Sequence, residues 1–268
     1  MSNLITSSKN PQIQHLRQLV SVSKYRQRHR QTVLDGVHLC DAYLRSGGSP
    51  VQVFVGVDSM KNPEVSELLF RLDESVDVVE VPESLYERVS SLEQGVAILF
   101  VIAMPEKALA AGLSKNSLLL ESVQDPGNVG AILRTAAAAG VQDVYLSAGS
   151  AAAWSPKVLR AGMGAHFGLN IYEGADLAWL ISSSKDVAVL ATSLKAKKSI
   201  YEADLGDGVA WLFGNEGSGV SEELLNLCKE NTVIIPQADG VESLNVAAAV
   251  AVCLFEGRRQ SLSIDFLP

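Results

Sequence analysis

Three polar, glycine-containing runs carry the side chains of this sequence that have the chemistry of a reactive site. They are DPGNVGAILRTA at 125–136, FGNEGSG at 213–219 and IPQADGVESLN at 235–245. Together they supply a cation, an acid, a hydroxyl and two amides, on Arg134, Glu216, Ser243, Asn128 and Asn245. Taken singly, each of these side chains has an ordinary role as a helix cap or a solvated group. Taken together, beside glycines that let a ligand approach the main chain, they predict a polar ligand site.

Each run stands where an apolar strand pattern changes to a helical one. The apolar stretches at 117–121, 209–213 and 232–235 lead into the runs, and apolar residues at helical spacing follow them. The carboxyl ends of parallel strands meet at one edge of an open α/β sheet, where ligands bind. We therefore expect the runs to converge at such an edge, with the last two crossings side by side.

Strand and helix patterns alternate along the whole chain. Up to about residue 108 the alternation predicts a small α/β/α layered domain. Beyond it, the pattern predicts a mostly parallel sheet with helices on both faces. We place the boundary near residue 108, which gives an N-terminal domain at 1–107 and a C-terminal domain at 108–268.

The net charge of −8 is unevenly distributed over the 268 residues. Residues 1–45 carry seven basic and two acidic side chains, whereas the remainder carries 15 basic and 28 acidic ones. The run KYRQRHR at 24–30 interleaves cations with a tyrosine and a histidine, a composition suited to phosphates and bases. The alternative interpretation is a solvated helix face.

Several other classes are disfavoured. No apolar run approaches the roughly 18 residues that span a bilayer, and the polar N-terminus lacks the apolar core of a signal peptide, so we expect a cytoplasmic protein without a membrane partner. The three cysteines are odd in number and lie in apolar helical patterns, which predicts buried thiols. No CxxC pair is present and the four histidines are scattered, so we expect no metal site.

The runs at 125–136, 212–225 and 235–256 resemble, in order and separation, the three signature motifs of the SpoU (TrmH-type) branch of the SPOUT RNA 2'-O-ribose methyltransferases. The resemblance covers roughly residues 117–257. The earlier runs ITSSKNPQIQHLRQL, KYRQRHR, LDGVHL and QGV (94–96) are similar to the substrate-binding domain that often precedes it, which resembles ribosomal protein L30e. The sequence departs from the family pattern at Gln237, Gly162 and Asp35, where Met, Ser and Glu are frequent.

The resemblance implies a fold, a cofactor and partners. The C-terminal domain is expected to form a deep trefoil knot and a homodimer, with S-adenosylmethionine bent in the knotted loops. Carried over by position, the cofactor contacts are Gly214, Ile235 and Leu244, with Leu212, Thr192 and Asn215 as neighbours. The partner is RNA, either rRNA or tRNA, and the basic residues expected to bind it are Lys9, Lys24, Arg26, Arg28 and Arg30.

Methyl transfer to a ribose hydroxyl is an in-line displacement that requires alignment and removal of a proton. The resemblance places Arg134, reaching across the dimer, nearest that hydroxyl. Because arginine stays protonated in proteins, we interpret it as a phosphate clamp that stabilises the developing alkoxide, with an RNA phosphate or Ser243 as the base. We expect Asn128 and Asn245 to orient the substrate and Arg134, and Glu216 to fix the loop and the arginine.

Two other functions remain open at this point. One is a catalytically silent RNA-binding protein of the same fold. The other is a dinucleotide-dependent oxidoreductase that uses the glycines of Gly162-Met163-Gly164 and Gly168, a weak match to the dinucleotide fingerprint.

Overall fold

The computed structural model describes residues 3–90, 95–105, 112–229, 231–240 and 242–262. The chain divides into two compact units, the first formed by Met1–Glu106 with Trp154–Phe167 and the second by Lys107–Ala153 with Gly168–Pro268. The domain boundary predicted near residue 108 falls within 106–111, outside the described residues.

The first unit contains a mixed four-stranded sheet. Its strands are β1 (Gln31–Asp35), β2 (Gln52–Gly56), β3 (Asp77–Val81) and β4 (Ile98–Ala103), in the order β1-β4-β2-β3. Strand β4 is antiparallel to both neighbours, and β2 and β3 are parallel. The helices of this unit are α1 (Pro11–Ser21), α2 (Ser23–His29), α3 (Val37–Arg45), α4 (Pro63–Phe70) and α5 (Glu83–Tyr86), with a 3-10 turn at Ser59–Lys61.

The segment Trp154–Phe167 groups with the first unit, although the sequence pattern placed it in the second domain. It contains a helix at Pro156–Gly162 and enters a 3-10 turn at Ala165–Gly168. The hydroxyl of Thr32, buried in β1, donates a 2.7 Å hydrogen bond to the Trp154 carbonyl. A Cβ added to Gly164 would lie 2.5 Å from the Ala42 Cβ, so the glycine permits close packing on α3.

The second unit is built on a six-stranded sheet in which every neighbouring pair is parallel. Its strands are β5 (Leu118–Leu120), β6 (Asp143–Leu146), β7 (Asn170–Glu173), β8 (Val189–Thr192), β9 (Ala210–Phe213) and β10 (Thr232–Val233), in the order β10-β8-β9-β5-β6-β7. The predicted α/β architecture with a parallel sheet is confirmed.

Helices cover both faces of this parallel sheet. With the Pro156–Gly162 helix numbered α7 in chain order, the helices of the second unit are α6 (Pro126–Ala139), α8 (Leu177–Ser183), α9 (Glu222–Leu227) and α10 (Val246–Ser261), with a 3-10 turn at Ile200–Glu202. Leu119 and Leu212 share a core with α8 and α9. The neighbouring strand residues Leu118 and Leu120 are equally buried and face the opposite side, which explains why these strands are continuously apolar in the sequence.

The two crossings expected to be adjacent are separated by one strand. Strand β8 pairs with β9 on one side and with β10 on the other. A hydrophobic pattern marks where strands begin and end, but their order depends on pairing between distant segments. The prediction that the last two crossings lie side by side was therefore wrong by one strand.

The three cysteines are free and buried, as predicted. Burial raises the pKa of the Cys228 thiol to about 11 and that of Cys253 to about 12. Within the described ranges, no helix has the length and apolar content needed to cross a bilayer. The same part of the chain contains no group of three or more His, Cys, Asp or Glu side chains that could hold a metal ion.

Candidate active site

Glu216 connects two of the three motif runs at the carboxyl edge of the parallel sheet. It follows β9, and its carboxylate accepts hydrogen bonds from the backbone N–H of Gln124 (3.2 Å) and Asp125 (3.1 Å), which follow β5. The Asn128 side-chain amide donates a third bond of 3.1 Å to the same carboxylate. The loop after β9 is thereby tied to the start of α6.

The environment of Glu216 favours its ionised form. Partial burial raises the pKa of the carboxyl, but hydrogen bonds from the Asn128 side chain and from the backbone N–H groups of residues 216, 125 and 124 outweigh it. The net result is a pKa below the ordinary value of 4.5. At neutral pH Glu216 is an anionic hydrogen-bond acceptor, which suits it to holding loops in place rather than to removing a proton.

Asn245 brings in the third run. Its side-chain amide donates a 2.9 Å hydrogen bond to Asn128 Oδ1. Its own Oδ1 accepts from the backbone N–H of Ala247 (2.9 Å) and Ala248 (3.3 Å), so Asn245 also caps the N-terminus of α10. Glu216, Asn128 and Asn245 therefore form one continuous network that joins all three runs.

Gly214 and Asn215 form a turn in which backbone packs on backbone. Asn215 and Gly219 exchange backbone hydrogen bonds of 3.1 and 2.9 Å. The side-chain amide of Asn215 donates a 2.9 Å hydrogen bond to the Ser122 carbonyl. A Cβ added to Gly214 would lie 2.0 Å from the Gly219 carbonyl carbon and 2.1 Å from the Val220 nitrogen. Only glycine fits at this position.

The residues expected to contact the cofactor lie in or after the three strands β8, β9 and β10. Leu212 is buried in β9, Thr192 ends β8, and Ile235 is buried just beyond β10. Leu244 is more exposed and immediately precedes the Asn245 cap.

Two features of these loops fit a bound cofactor. The Gly214 turn brings main-chain atoms close together without a side chain. Gln237 Oε1, in the run after β10, is a buried acceptor with no hydrogen-bond partner among the described residues. A buried acceptor of this kind is uncommon in folded proteins, and a donor on a bound ligand would satisfy it.

Arg134 and Ser243 lie outside the hydrogen-bonded network of their own chain. Both are exposed. Arg134 lies six residues after Asn128 on α6, which places the two side chains roughly 120° apart around the helix. Nothing in the described part of the chain hydrogen-bonds or ion-pairs with the Arg134 guanidinium, which leaves it available to another molecule.

The basic residues predicted to bind RNA fall into two groups. Lys9, Lys24, Arg28 and Arg30 are exposed, and Arg30 donates a 3.2 Å hydrogen bond to the Pro105 carbonyl. Arg26 is only 7% exposed, and its guanidinium donates to the carbonyls of Leu19 (2.8 Å) and Val20 (3.3 Å). The carbonyls at the end of α1 need donors, so Arg26 is a helix cap, and its prediction as an RNA contact is corrected.

Arg26 and Arg28 should separate in their effects on stability and RNA affinity. Arg26→Gln removes a buried capping interaction and is expected to lower the free energy of unfolding by about 1–3 kcal/mol. Arg28→Gln, the matched exposed change, is expected to leave stability unchanged. Because Arg28 is one of the residues predicted to bind RNA, the change is also expected to weaken RNA binding through the loss of one phosphate contact. Urea unfolding and equilibrium RNA binding test the pair. An unchanged unfolding midpoint for Arg26→Gln, together with weaker RNA binding, would contradict this assignment.

Asp125 and Glu121 are site residues that sequence reasoning missed. Asp125 Oδ1 accepts a 2.8 Å hydrogen bond from the Asn128 N–H and caps α6. Glu121 Oε2 accepts a 2.8 Å hydrogen bond from the Ser221 N–H. An acid directly before proline at a helix start is a recognisable N-cap signal, so Asp125 was detectable. Glu121 carried no comparable signal, because its partner lies 100 residues away.

The oxidoreductase alternative was wrong. Gly162 ends a helix, Gly164 packs on α3, and both belong to the first unit. A dinucleotide fingerprint requires a strand before the glycines and a helix after them, and here a helix precedes them.

The motif region has a recognisable family. Residues 115–255, more than half of the chain, match the SpoU rRNA Methylase family. The chain belongs to this family. Residues 10–99 of this SpoU methylase match the MRM3-like substrate binding domain. The family resemblance seen in the sequence is therefore confirmed.

Relatives of this SpoU methylase align over nearly its full length. It is 35% identical to an uncharacterized tRNA/rRNA methyltransferase of Synechocystis, covering 96% of this chain and 93% of the relative. It is 31% identical to the 23S rRNA (guanosine(2553)-2'-O)-methyltransferase of Bacillus subtilis, over 95% of this chain and 98% of the relative. The AdoMet-bound rRNA methyltransferase of Sinorhizobium meliloti superposes with a TM-score of 0.83 at 27% identity, covering 97% and 98%. The predicted class of enzyme and its cofactor, S-adenosylmethionine, are confirmed at the level of the family.

The Glu216 carboxylate should make stability depend on pH. The pKa of this carboxyl is lower in the folded protein than in the unfolded chain. Its contribution to the free energy of unfolding is therefore complete above the unfolded pKa of 4.5 and is lost as pH falls through the lower folded pKa. Glu216→Gln replaces the carboxylate by an amide, whose NH2 group would face N–H donors. We therefore expect the free energy of unfolding to fall by about 1–2 kcal/mol at pH 7. Urea unfolding measured from pH 7 to 3 should show that the difference in unfolding free energy between the wild type and Glu216→Gln decreases as the pH falls. A pH-independent difference would contradict this role.

Proposed function

We propose that this chain transfers a methyl group from S-adenosylmethionine to a ribose 2'-hydroxyl in rRNA, and that it acts as a homodimer in the cytoplasm. The observation that carries the proposal is the Glu216–Asn128–Asn245 network, which joins the three SpoU motif runs at one edge of the sheet. Ribosomal RNA is favoured over tRNA because the functionally named relatives include 23S rRNA 2'-O-methyltransferases.

The cofactor site is formed by the loops after β8, β9 and β10, which we propose adopt the family's trefoil knot. Gly214, Ile235 and Leu244 would contact S-adenosylmethionine, with Leu212, Thr192 and Asn215 beside them. When bound, the cofactor supplies an activated methyl group. The chain contributes a rigid backbone frame, since Asn215 fixes its turn by accepting from the N–H groups of Gly217 (2.9 Å) and Ser218 (3.2 Å).

Arg134 is proposed to hold the phosphate beside the target ribose and to stabilise the oxygen as it loses its proton. A guanidinium suits this role because it is permanently charged and offers two parallel donors. Arg134 is exposed and points about 120° away from Asn128 around α6. Both observations support a contribution of Arg134 to the active site of the partner subunit. The proton acceptor is an RNA phosphate or Ser243, while Asn128 and Asn245 orient the substrate and Glu216 locks the loops.

The homodimer is proposed to form through the C-terminal domain. Helix α10 leaves Phe255 47% exposed, and Leu262 just beyond the helix is 46% exposed. Exposed large apolar side chains of this kind are typical of protein–protein contacts when they share one face. We assign residues 108–268 to catalysis and 1–107 to RNA binding, with Lys9, Lys24, Arg28 and Arg30 as the phosphate contacts.

The test is methyl transfer from labelled S-adenosylmethionine into in vitro transcribed 23S rRNA and, separately, tRNA transcripts. We expect label in the 23S rRNA on a single 2'-hydroxyl, located by mapping the labelled ribose. Saturable S-adenosylmethionine binding with label in tRNA alone would overturn the choice of substrate. RNA binding without saturable affinity for the cofactor would instead establish the catalytically silent alternative.

A further inference from the structure

A positively charged loop leaves the carboxyl edge of the parallel sheet after β8. We call residues 193–201 the lysine loop, because Lys195, Lys197 and Lys198 occupy three of four consecutive positions. The second unit as a whole is acidic, with ten basic against seventeen acidic residues. The lysine loop is therefore a positively charged segment on a unit whose net charge is negative.

The lysine side chains of the lysine loop are free to bind another molecule. All three are exposed, and none of their ammonium groups forms a hydrogen bond or ion pair with the described residues. Leu194 and Tyr201 are each 59% exposed. Glu202, the acid nearest in sequence, directs Oε2 to the Ser199 N–H at 2.9 Å in a capping box. Cations beside an exposed aromatic ring are the composition that binds single-stranded RNA.

Backbone hydrogen bonds fix the lysine loop beside the proposed cofactor site. The N–H of Ser193 donates to the Val233 carbonyl (3.0 Å), and the N–H of Ile234 donates to the Lys198 carbonyl (2.9 Å). The N–H of Ile200 then donates to the Ile234 carbonyl (2.9 Å). Both ends of the loop are thus held against the segment that leads directly into Ile235.

We propose that the lysine loop binds the RNA strand that carries the target ribose. Lys195, Lys197 and Lys198 contact phosphates of nucleotides next to the target, and Tyr201 stacks on a neighbouring unpaired base. This inference rests on the proposed function and adds a substrate-binding surface on the catalytic unit. Its position follows from β8, which lies between the strands that lead into the two other cofactor loops.

The test compares two triple variants that remove equal charge from opposite edges of the same sheet. The first is Lys195→Gln/Lys197→Gln/Lys198→Gln. The control is Lys115→Gln/Lys185→Gln/Lys229→Gln, whose exposed lysines precede β5, β8 and β10 and so lie at the amino edge. The probe is unmodified 23S rRNA transcript, with binding measured against salt concentration, and S-adenosylmethionine affinity and methyl transfer measured in parallel.

For the lysine-loop variant we expect RNA affinity at 0.1 M salt to fall by about 10-fold or more. Loss of three single-strand phosphate contacts should reduce the slope of log K against log salt by about 2. S-adenosylmethionine affinity should stay within about 2-fold, and the control should stay near wild type in all measurements. Tyr201→Ala should weaken RNA binding with an unchanged salt slope, because stacking releases no counterions.

The outcomes separate this inference from the proposed function. An unchanged salt slope in the lysine-loop variant, an equal loss in the control, or no RNA binding by the wild type would each overturn the inference. If the wild-type protein binds RNA with a salt slope that depends on the three lysines but transfers no methyl group, RNA binding by the lysine loop would be supported and the proposed function rejected.

Discussion

Substitution of Arg134 by alanine is expected to lower the rate of methyl transfer by about 1,000-fold or more while S-adenosylmethionine affinity stays within about 2-fold. The exposed guanidinium forms no hydrogen bond or ion pair with the described residues of its own chain, so removing it should leave the fold and the cofactor site intact. The expected loss follows from the charge-stabilising contact proposed between Arg134 and the reacting oxygen. Arg134→Lys should recover little, because an ammonium is a point charge without the planar pair of donors. Single-turnover transfer and cofactor calorimetry measure the two quantities.

Heterodimers can show whether Arg134 serves its own subunit or the partner. Arg134→Ala and Asn128→Ala homodimers should both be poorly active. In a purified heterodimer, one site would combine an intact Asn128 with an Arg134 supplied across the dimer, so activity should return to about half that of the wild type. Without restoration in this heterodimer, Arg134 acts within its own chain. Near wild-type turnover by Arg134→Ala itself would reject its role in the reaction.

Substitution of Gly214 by alanine is expected to abolish measurable S-adenosylmethionine binding, with a decrease in affinity of about 100-fold or more. The new Cβ would meet backbone atoms of Gly219 and Val220 at 2.0–2.1 Å, and neither is the flexible end of a side chain. The turn must open, which should also lower the free energy of unfolding by about 1–3 kcal/mol. The loops proposed to hold the cofactor would then lose their shape.

Gly217→Ala is the matched control for this prediction. It lies in the same turn, but its added Cβ would lie 3.5 Å from Asn215 Oδ1, an ordinary contact distance, and its φ is not positive. We expect cofactor affinity and stability near wild type. Equal losses in both variants would mean that the turn tolerates no side chain anywhere, and an unaffected Gly214→Ala would show that the turn is not part of the cofactor site.

The sequence was most informative where local chemistry decides the structure. Asn10 and Pro11 indicate the start of α1, and the Asn10 side chain accepts from the Gln12 N–H as that signal predicts. The parallel sheet followed from the alternation of apolar runs and helical spacing. The approach of Glu216 to Asn128 followed from the rule that parallel strands end at one edge.

The features that sequence patterns missed depend on contacts between distant segments. Arg26 belongs to a basic run that is typical of a solvated face, and only the position of the α1 carbonyls makes it a buried cap. Strand β8 enters the sheet between β9 and β10, an order that no local pattern encodes. The bond from Thr32 to Trp154 spans 122 residues, so nothing near either residue indicated that Trp154–Phe167 groups with the first unit.

The return of Trp154–Phe167 to the first unit has a consequence for the order of folding during synthesis. A nascent chain that has emerged only as far as residue 105 already carries all four strands of the first sheet, but it lacks the helix at Pro156–Gly162 and the carbonyl that Thr32 donates to. The first unit is complete only after the ribosome has also released β5, α6 and β6 of the second. The first unit therefore cannot complete its fold until part of the second unit has been synthesised.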